Sequence, residues 1–157
     1  MTSTGMEDKK SSDIDLSDFA SRIDFELKRA ERYRIFVSLV ILNVNPALEM
    51  TGDGKDADKV KSDILKALGD IIKKSIREID AVSHSTSRNK LGLLFPETSR
   101  QGAEAAARRL TDTLNQFCAD YFRKPAEYLI PVEISSFPDA AGARSINSYL
   151  DEFSKEK

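Results

Sequence analysis

Residues 91–110 read LGLLFPETSRQGAEAAARRL and contain the two signals that decide the fold. Leu91 to Phe95 is a short apolar run that ends at a proline, which is typical of a buried β-strand. Thr98, with Gln101 three residues later, forms a capping box, the signature of a helix N-terminus. Apolar residues then recur at helical spacing, at Ala103, Ala106, Ala107, Leu110, Leu114 and Phe117. The stretch therefore predicts a strand joined by a short turn to an amphipathic helix.

The segments upstream of this stretch predict further elements of the same sheet. Ala81 to Thr86 is a second strand, and Ser87 to Lys90 form the hairpin turn between the two strands. Phe36 to Leu42 is continuously apolar and rich in β-branched residues, which indicates a strand buried on both faces. Pro46 stops that strand. Apolar residues at helical spacing from Val60 to Ile76 predict a long helix between the buried strand and the hairpin.

The N-terminal part of the chain divides into a polar tail and a helix. Residues 1–15 are rich in Ser, Asp and Lys, which predicts a disordered tail. From Leu16 to Ala30 the apolar residues form one helical stripe, and either Asp15 or Ser17 can cap it. The folded domain is therefore expected to span residues 16–157.

The C-terminal part predicts one more strand and a short helix. Tyr128 to Ile134 is the strand, and Ile146 to Phe153 is the closing helix. The resulting order is helix, β, α, β-hairpin, α, β, α. A strand–helix–strand crossover beside a hairpin predicts an α/β (α+β) domain with a mixed central sheet of about five strands covered by helices.

Composition excludes several classes of function. The 157 residues include 24 basic and 26 acidic ones, so the net charge of −2 gives no basic face for nucleic acid. The single cysteine, Cys118, cannot form an internal disulfide and lies on an apolar helical stripe, which predicts a core residue. The longest apolar run, Ile35 to Leu42, is too short to cross a bilayer. We therefore expect a cytoplasmic protein with no membrane or nucleic-acid partner and, since His84 has no ligand cluster around it, no metal site.

Four segments together resemble the GGDEF domain, the fold of diguanylate cyclases. They are FELKRAERYRIFVSLVILNVN (25–45), ILKALGDIIKKSIREIDAV (64–82), GLLFPETSRQGAEAAARRL (92–110) and VEISSFPDA (132–140). The resemblance covers roughly residues 18–140. It implies a nucleotidyl-cyclase-like sheet and a role in bacterial signalling through cyclic di-GMP.

The residues that carry catalysis in this family are replaced in this chain. Formation of a phosphodiester from GTP needs divalent metal held by hard oxygen ligands, usually carboxylates. In the family these carboxylates follow the buried strand and lie in the GGDEF turn, where this chain has Asn43, Asn45, Asn89 and Lys90. Amide oxygens bind metal weakly, and an ammonium group repels it. The resemblance therefore implies an inactive cyclase that holds no metal and uses no cofactor.

The GGDEF turn itself is degenerate. It reads Ser87-Arg88-Asn89-Lys90-Leu91, so Ser87 and Arg88 replace the two glycines that let the backbone approach the phosphates. An active enzyme on a related cyclase fold would need a different site, and the absent carboxylates disfavour it.

A second site of the family matches three residues of this chain. Arg77-Glu78-Ile79-Asp80 is an RxxD motif placed where the family carries its inhibitory site for cyclic di-GMP, and Arg109 aligns with a third arginine of that site. Arginine pairs with phosphate or guanine acceptors, and aspartate accepts from guanine N–H groups. A structural alternative stays open, because Arg near a helix C-terminus favours the macrodipole and Asp commonly caps a turn.

Two interpretations of function follow from these motifs. In the first, the domain is a non-catalytic receptor that binds cyclic di-GMP through Arg77, Asp80 and Arg109. In the second, it is a protein–protein interaction or scaffold module that binds no nucleotide and pairs with a protein partner or with a second copy of itself.

Overall fold

The computed structural model of the chain describes residues 13–123, 130–138 and 144–154. Its strands form one five-stranded sheet in the order β1-β3-β4-β2-β5. The strands are β1 (Asp13–Ile14), β2 (Val37–Asn43), β3 (Ala81–Ser83), β4 (Lys90–Pro96) and β5 (Val132–Phe137). β2 pairs antiparallel with both β4 and β5, β3 pairs antiparallel with β4, and only the two-residue β1 runs parallel to its neighbour. The predicted mixed sheet is confirmed.

Helices cover both faces of this sheet. They are α1 (Leu16–Tyr33), α2 (Asn45–Glu49), α3 (Ala57–Ser75), α4 (Arg100–Phe122) and α5 (Leu150–Ser154), with a 3₁₀ turn at Ile146–Tyr149. The carboxylate of Asp15 caps α1 by accepting a hydrogen bond from the backbone N–H of Asp18 at 2.8 Å. Within the described residues, no helix is both long enough and apolar enough to cross a membrane.

The central strand β2 is buried on both faces, as its apolar sequence predicts. Val40 and Leu42 pack with α3 and α4 on one side of the sheet. Leu39 and Ile41 pack with α1 and the C-terminal helical segment on the other side. Alternate side chains of the strand therefore pack into two separate core layers.

Gly92 in β4 allows the C-terminal segment to close over the sheet. A Cβ atom at this position would lie 2.7 Å from the rings of both Phe19 and Phe153. These two rings pack edge to face, with their centroids 4.9 Å apart. The glycine is required here for close packing between the sheet and two aromatic rings.

Several of the predicted boundaries are wrong, among them the end of β3, which the sequence places at Thr86 and the structure at Ser83. Ser99, not Thr98, is the N-cap of α4, and its hydroxyl accepts from the backbone N–H of Gly102 at 3.3 Å. The strand predicted at Tyr128–Ile134 begins only at Val132, because Pro131 has no N–H to give to the ladder; residues 128 and 129 lie outside the described residues.

Another wrong boundary is the end of the predicted N-terminal tail. Asp13–Ile14 form β1 beside β3, within the stretch that the sequence predicts to be disordered. The backbone N–H of His84 also donates to the carbonyl of Ile14 at 2.8 Å. The composition of this stretch gave no sign of the pairing, because two residues are too few to form an alternating pattern. Residues 1–12 lie outside the described residues.

Candidate functional site

The hairpin turn lies beside the end of the central strand. In the antiparallel register of β2 with β4, Asn43 is directly opposite Lys90. The Thr86 hydroxyl accepts hydrogen bonds from the backbone N–H groups of Arg88 and Lys90, at 3.2 and 3.1 Å. Asn89 takes the left-handed conformation, with φ of 61°. The two segments in which the sequence predicts lost metal ligands therefore meet at one edge of the sheet.

Asparagine side chains at this edge bind one another. The amide Nδ2 of Asn89 donates to Oδ1 of Asn45 at 2.8 Å, and the backbone N–H of Asn45 donates to Oδ1 of Asn43 at 3.0 Å. The amide of Asn45 donates in turn to the Glu49 carboxylate at 2.9 Å. The positions that would hold metal in a cyclase are thus joined by their own hydrogen bonds.

A positive charge also stands at this edge. The ammonium group of Lys90 lies 3.6 Å from a carboxylate oxygen of Glu152, and Arg144 lies 3.7 Å from the other oxygen. Among the described residues, no group of three or more His, Cys, Asp or Glu side chains is arranged to hold a metal ion. Amide oxygens are weaker ligands than carboxylates for a divalent cation, and the ammonium group of Lys90 repels one.

The three residues of the predicted ligand site line one groove. This groove has a volume of about 480 Å³ and runs between the end of α3 and the first half of α4. Arg77 and Asp80 approach it from the segment after α3, and Arg109 approaches it from α4. Sequence reasoning therefore selected side chains from two separate segments that the fold brings together.

Asp80 closes a turn with Arg77. The backbone N–H of Asp80 donates to the carbonyl of Arg77 at 3.0 Å, and the Asp80 carboxylate accepts from the backbone N–H of Arg77 at 2.8 Å. The same carboxylate accepts from Nε and Nη2 of the Arg77 guanidinium, at 3.3 and 2.9 Å. Only 3% of the Asp80 side chain is exposed, against 53% of Arg77. The structural role that the sequence allows for Asp80 is present.

The end of β4 and the connection that follows it also hold the Arg77 guanidinium. Nη2 of Arg77 donates to the hydroxyl of Thr98 at 2.7 Å and to the carbonyl of Pro96 at 3.1 Å. Sequence reasoning placed Thr98 as a helix cap and missed this contact. The adjacent Ser99 was a signal for this contact. Only one of two neighbouring hydroxyl residues is needed as the helix cap, so the other is free to bind another partner.

Arg109 differs from Arg77 in having no bound neighbour among the residues that the structure describes. Its side chain is exposed on α4, and its guanidinium makes no hydrogen bond or ion pair with any residue that the structure describes. Arg108, one position earlier, is also exposed but does not line the groove. The groove therefore carries an uncompensated positive charge at Arg109.

A second surface on α1 exposes aromatic side chains. Phe25 is 61% exposed and Tyr33 is 63% exposed, and both line a shallow depression with Arg29 and Arg32. Phe36, just before β2, is also exposed. Large exposed aromatic groups of this kind are common in protein interfaces.

The single cysteine lies in the core, as predicted. Cys118 is fully buried on the inner side of α4, and burial raises the pKa of its thiol. A buried thiol of raised pKa is a poor nucleophile.

Comparisons with known proteins give matches of fold only. No protein-family model matches the sequence, and no curated protein sequence resembles it significantly. The GGDEF domain of YfiN from Pseudomonas aeruginosa superposes with a TM-score of 0.64 and 14% identity, over 92% of this chain and 88% of that domain. The GGDEF domain of DgcB from Caulobacter crescentus, in complex with c-di-GMP, gives 0.57 and 11%, over 78% and 69% of the two chains.

A longer relative has the same fold in part of its chain. The diguanylate cyclase SiaD from Pseudomonas aeruginosa, in complex with its activator SiaC, superposes with a TM-score of 0.60 and 15% identity. The match covers 90% of this chain but 52% of SiaD, so the chain spans about half of that protein's length. The sheet order, the helices on both faces and these superpositions agree, and the protein has the GGDEF fold.

Proposed function

We propose that this protein is a catalytically inactive GGDEF-like signalling domain that acts by binding cyclic di-GMP in the groove between α3 and α4. The observation that carries the proposal is the placement of Arg77, Asp80 and Arg109 on one groove. Two guanidinium groups suit a ligand with two phosphodiesters, because arginine binds phosphate oxygens through paired N–H groups.

The hairpin edge supports the absence of catalysis. Diguanylate synthesis needs a divalent cation on the phosphates, and this edge has amide oxygens and the ammonium of Lys90 in place of carboxylates. Oδ1 of Asn45 already accepts from the amide of Asn89 at 2.8 Å, and Nδ2 of Asn45 donates to the Glu49 carboxylate at 2.9 Å.

One structure of the same fold gives a precedent for the ligand. The GGDEF domain of DgcB has been solved in complex with c-di-GMP. We place the corresponding receptor role of this chain in the cytoplasm, since a domain with one cysteine does not need an oxidising compartment.

Titration calorimetry with cyclic di-GMP tests the proposal directly. We expect binding that falls by about tenfold or more in Arg109→Ala, the loss expected when a charged hydrogen-bond donor is removed. Arg108→Ala is the matched control, because it removes the same charge from the next position of α4 without altering the groove. Absence of binding, or equal binding by both variants, would contradict the receptor function.

A turnover assay with GTP and Mg²⁺ tests the inactive cyclase. We expect neither pyrophosphate nor cyclic di-GMP to form, because no set of carboxylates among the described residues can hold the metal. Formation of either product would contradict the assignment, whatever the calorimetry shows.

The alternative function, a protein-interaction module, is favoured by the aromatic surface on α1. Phe25 and Tyr33 expose large rings beside Arg29 and Arg32. SiaD, which shares the fold, has been solved with an activator protein bound. For self-association as the simplest case, sedimentation velocity would show a dimer that dissociates in Tyr33→Ser. A dimer that persists in Tyr33→Ser, or a monomer at every concentration, would contradict self-association through α1.

A further inference from the structure

The outer face of α1 carries an exposed phenylalanine near its centre. The inner face of this helix packs into the core through Phe19, Ile23, Glu26, Leu27 and Ala30. Phe25 lies on the opposite side, and it is 61% exposed. An aromatic ring that stands exposed in the middle of a helix is typical of an interaction surface.

Two charges of opposite sign lie at equal distances from Phe25 along the helix. Asp18 is seven residues before it, and Arg32 is seven residues after it. Seven residues are close to two helical turns, so the three side chains leave α1 on the same side. Both charged side chains are exposed, and neither forms an ion pair with another residue that the structure describes. This face is therefore acidic at one end, aromatic in the middle and basic at the other end.

The charges nearest to Phe25 on this face already have partners. The carboxylate of Asp24 lies 3.0 Å from the ammonium group of Lys28. The guanidinium of Arg29 lies 2.7 Å from the carboxylate of Glu97. The charges at the two ends of the face are therefore the ones that a partner meets without first breaking an ion pair.

The helix macrodipole explains only part of this pattern. Asp18 in the first turn and Arg32 in the last turn both stabilise α1 by complementing its dipole. The exposed ring of Phe25 between them gives the helix no such gain. A second copy of α1 that runs in the opposite direction complements all three groups, because ring meets ring and each carboxylate meets a guanidinium.

We infer that two copies of this chain pair through antiparallel α1 helices about a twofold axis at Phe25, with Asp18 of each copy against Arg32 of the other. The inference rests on the alternative function, protein interaction, and names the partner and its orientation. The net charge of −2 gives little repulsion between two copies. The ring supplies the buried contact, and the charges select the antiparallel direction.

Charge reversal followed by sedimentation velocity tests this pairing. Asp18→Arg places two arginines against each other at both ends of the pair, and Arg32→Asp places two aspartates there. We expect each variant to weaken dimerisation by about tenfold or more, and Phe25→Ala to do the same. Asp112→Arg is the matched control, because it makes the same change of charge at an exposed position of α4, on the opposite face of the sheet. It should leave dimerisation unchanged.

Exchange of the two charges separates a contact between copies from damage to the fold. The double variant, Asp18→Arg with Arg32→Asp, restores both pairs with their signs exchanged. Its dimer should match that of the unaltered chain within about threefold. An equimolar mixture of the two single variants should also dimerise, although each variant alone associates weakly. A loss caused by misfolding of either variant would not be recovered in the mixture.

The outcomes separate this inference from the functions proposed above. A dimer that Phe25→Ala dissociates, but that the charge reversals do not weaken or the exchange does not recover, would overturn the antiparallel pairing and leave self-association through α1 standing. A monomer at every concentration would overturn both, and binding of that monomer to phosphatidylserine vesicles would identify a membrane as the occupant of this face instead. Neither result bears on cyclic di-GMP binding, which the calorimetry tests separately.

Discussion

The hairpin edge and the α3–α4 groove use their polar groups in opposite ways. At the hairpin edge, Asn45 and Asn89 bind each other at 2.8 Å, and Lys90 faces a carboxylate. In the groove, Asp80 fixes Arg77, while Arg109 has no partner among the described residues. One region satisfies its polar groups internally, and the other leaves cationic donors available to a ligand.

Under the proposed function, this difference is how a site would lose its chemistry while its fold remains. Carboxylates clustered around a metal repel one another when the metal is absent, whereas amides can donate and accept in the same positions. With amides at Asn45 and Asn89, no cation is needed to hold the hairpin against β2. In the groove, the arginines keep their charge.

Restoring carboxylates at the hairpin edge is the strongest way to break this comparison. In Asn45→Asp with Asn89→Asp, two negative charges would face each other at the distance of the present hydrogen bond. We expect a loss of about 3 kcal/mol in the free energy of unfolding at pH 7, as close like charges near a protein surface cost. Urea unfolding measures it.

The pH and metal dependence of this double variant identify the cause. A like-charged neighbour raises the pKa of a carboxyl group in the folded state, so the loss should shrink as the pH falls towards the unfolded value near 4. Millimolar Mg²⁺ should also restore part of the stability, by binding the new oxygens. Asn147→Asp, at an exposed position of the 3₁₀ turn, controls for the change in charge. Equal stability of the two variants would contradict repulsion.

The sequence predicted which segments meet, but not how their polar atoms are used. Asn43 and Lys90 meet because strand pairing brings the end of β2 to the hairpin. The apolar patterns predicted both strands, and the resemblance to the GGDEF domain predicted that these two segments belong to one site. Arg109 lines the groove because the spacing of residues along α4 sets the direction of its side chain relative to that of Leu110. The three hydrogen bonds that Asp80 accepts depend on atomic distances below 3.5 Å, which no spacing rule fixes.

Replacing Asp80, which holds Arg77 in place, tests the groove by urea unfolding, as the double variant tests the hairpin edge. Asp80→Ala deletes a buried carboxylate that accepts three hydrogen bonds from Arg77. We expect it to lower the free energy of unfolding by about 2 kcal/mol, in the range for hydrogen bonds to charged groups. Asp80→Asn keeps one acceptor oxygen and should cost about half as much.

The contrast with Arg109 gives the control for this prediction. Arg109→Ala should change the free energy of unfolding by no more than about 0.5 kcal/mol, because the side chain is exposed and unbound within the described chain. Similar costs for Asp80→Ala and Arg109→Ala in urea unfolding would mean that Asp80 does not position Arg77.

Two substitutions of Asn89 have the smallest expected effects, and they separate its side-chain hydrogen bond from its backbone conformation. Asn89 lies at φ of 61° and also donates to Asn45. Asn89→Gly keeps the left-handed backbone and removes only the side-chain hydrogen bond to Asn45. We therefore expect it to lower the free energy of unfolding by about 1 kcal/mol or less. Asn89→Ala removes the same hydrogen bond but, unlike the glycine variant, keeps a Cβ at positive φ without the polar side chain that lets asparagine adopt this conformation, so it should cost about 1 kcal/mol more than the glycine variant. Equal stabilities of the two variants in thermal unfolding would mean that the turn has relaxed away from the left-handed conformation. In that case the hydrogen bonds among the asparagine side chains, and not the backbone conformation, hold the hairpin in place.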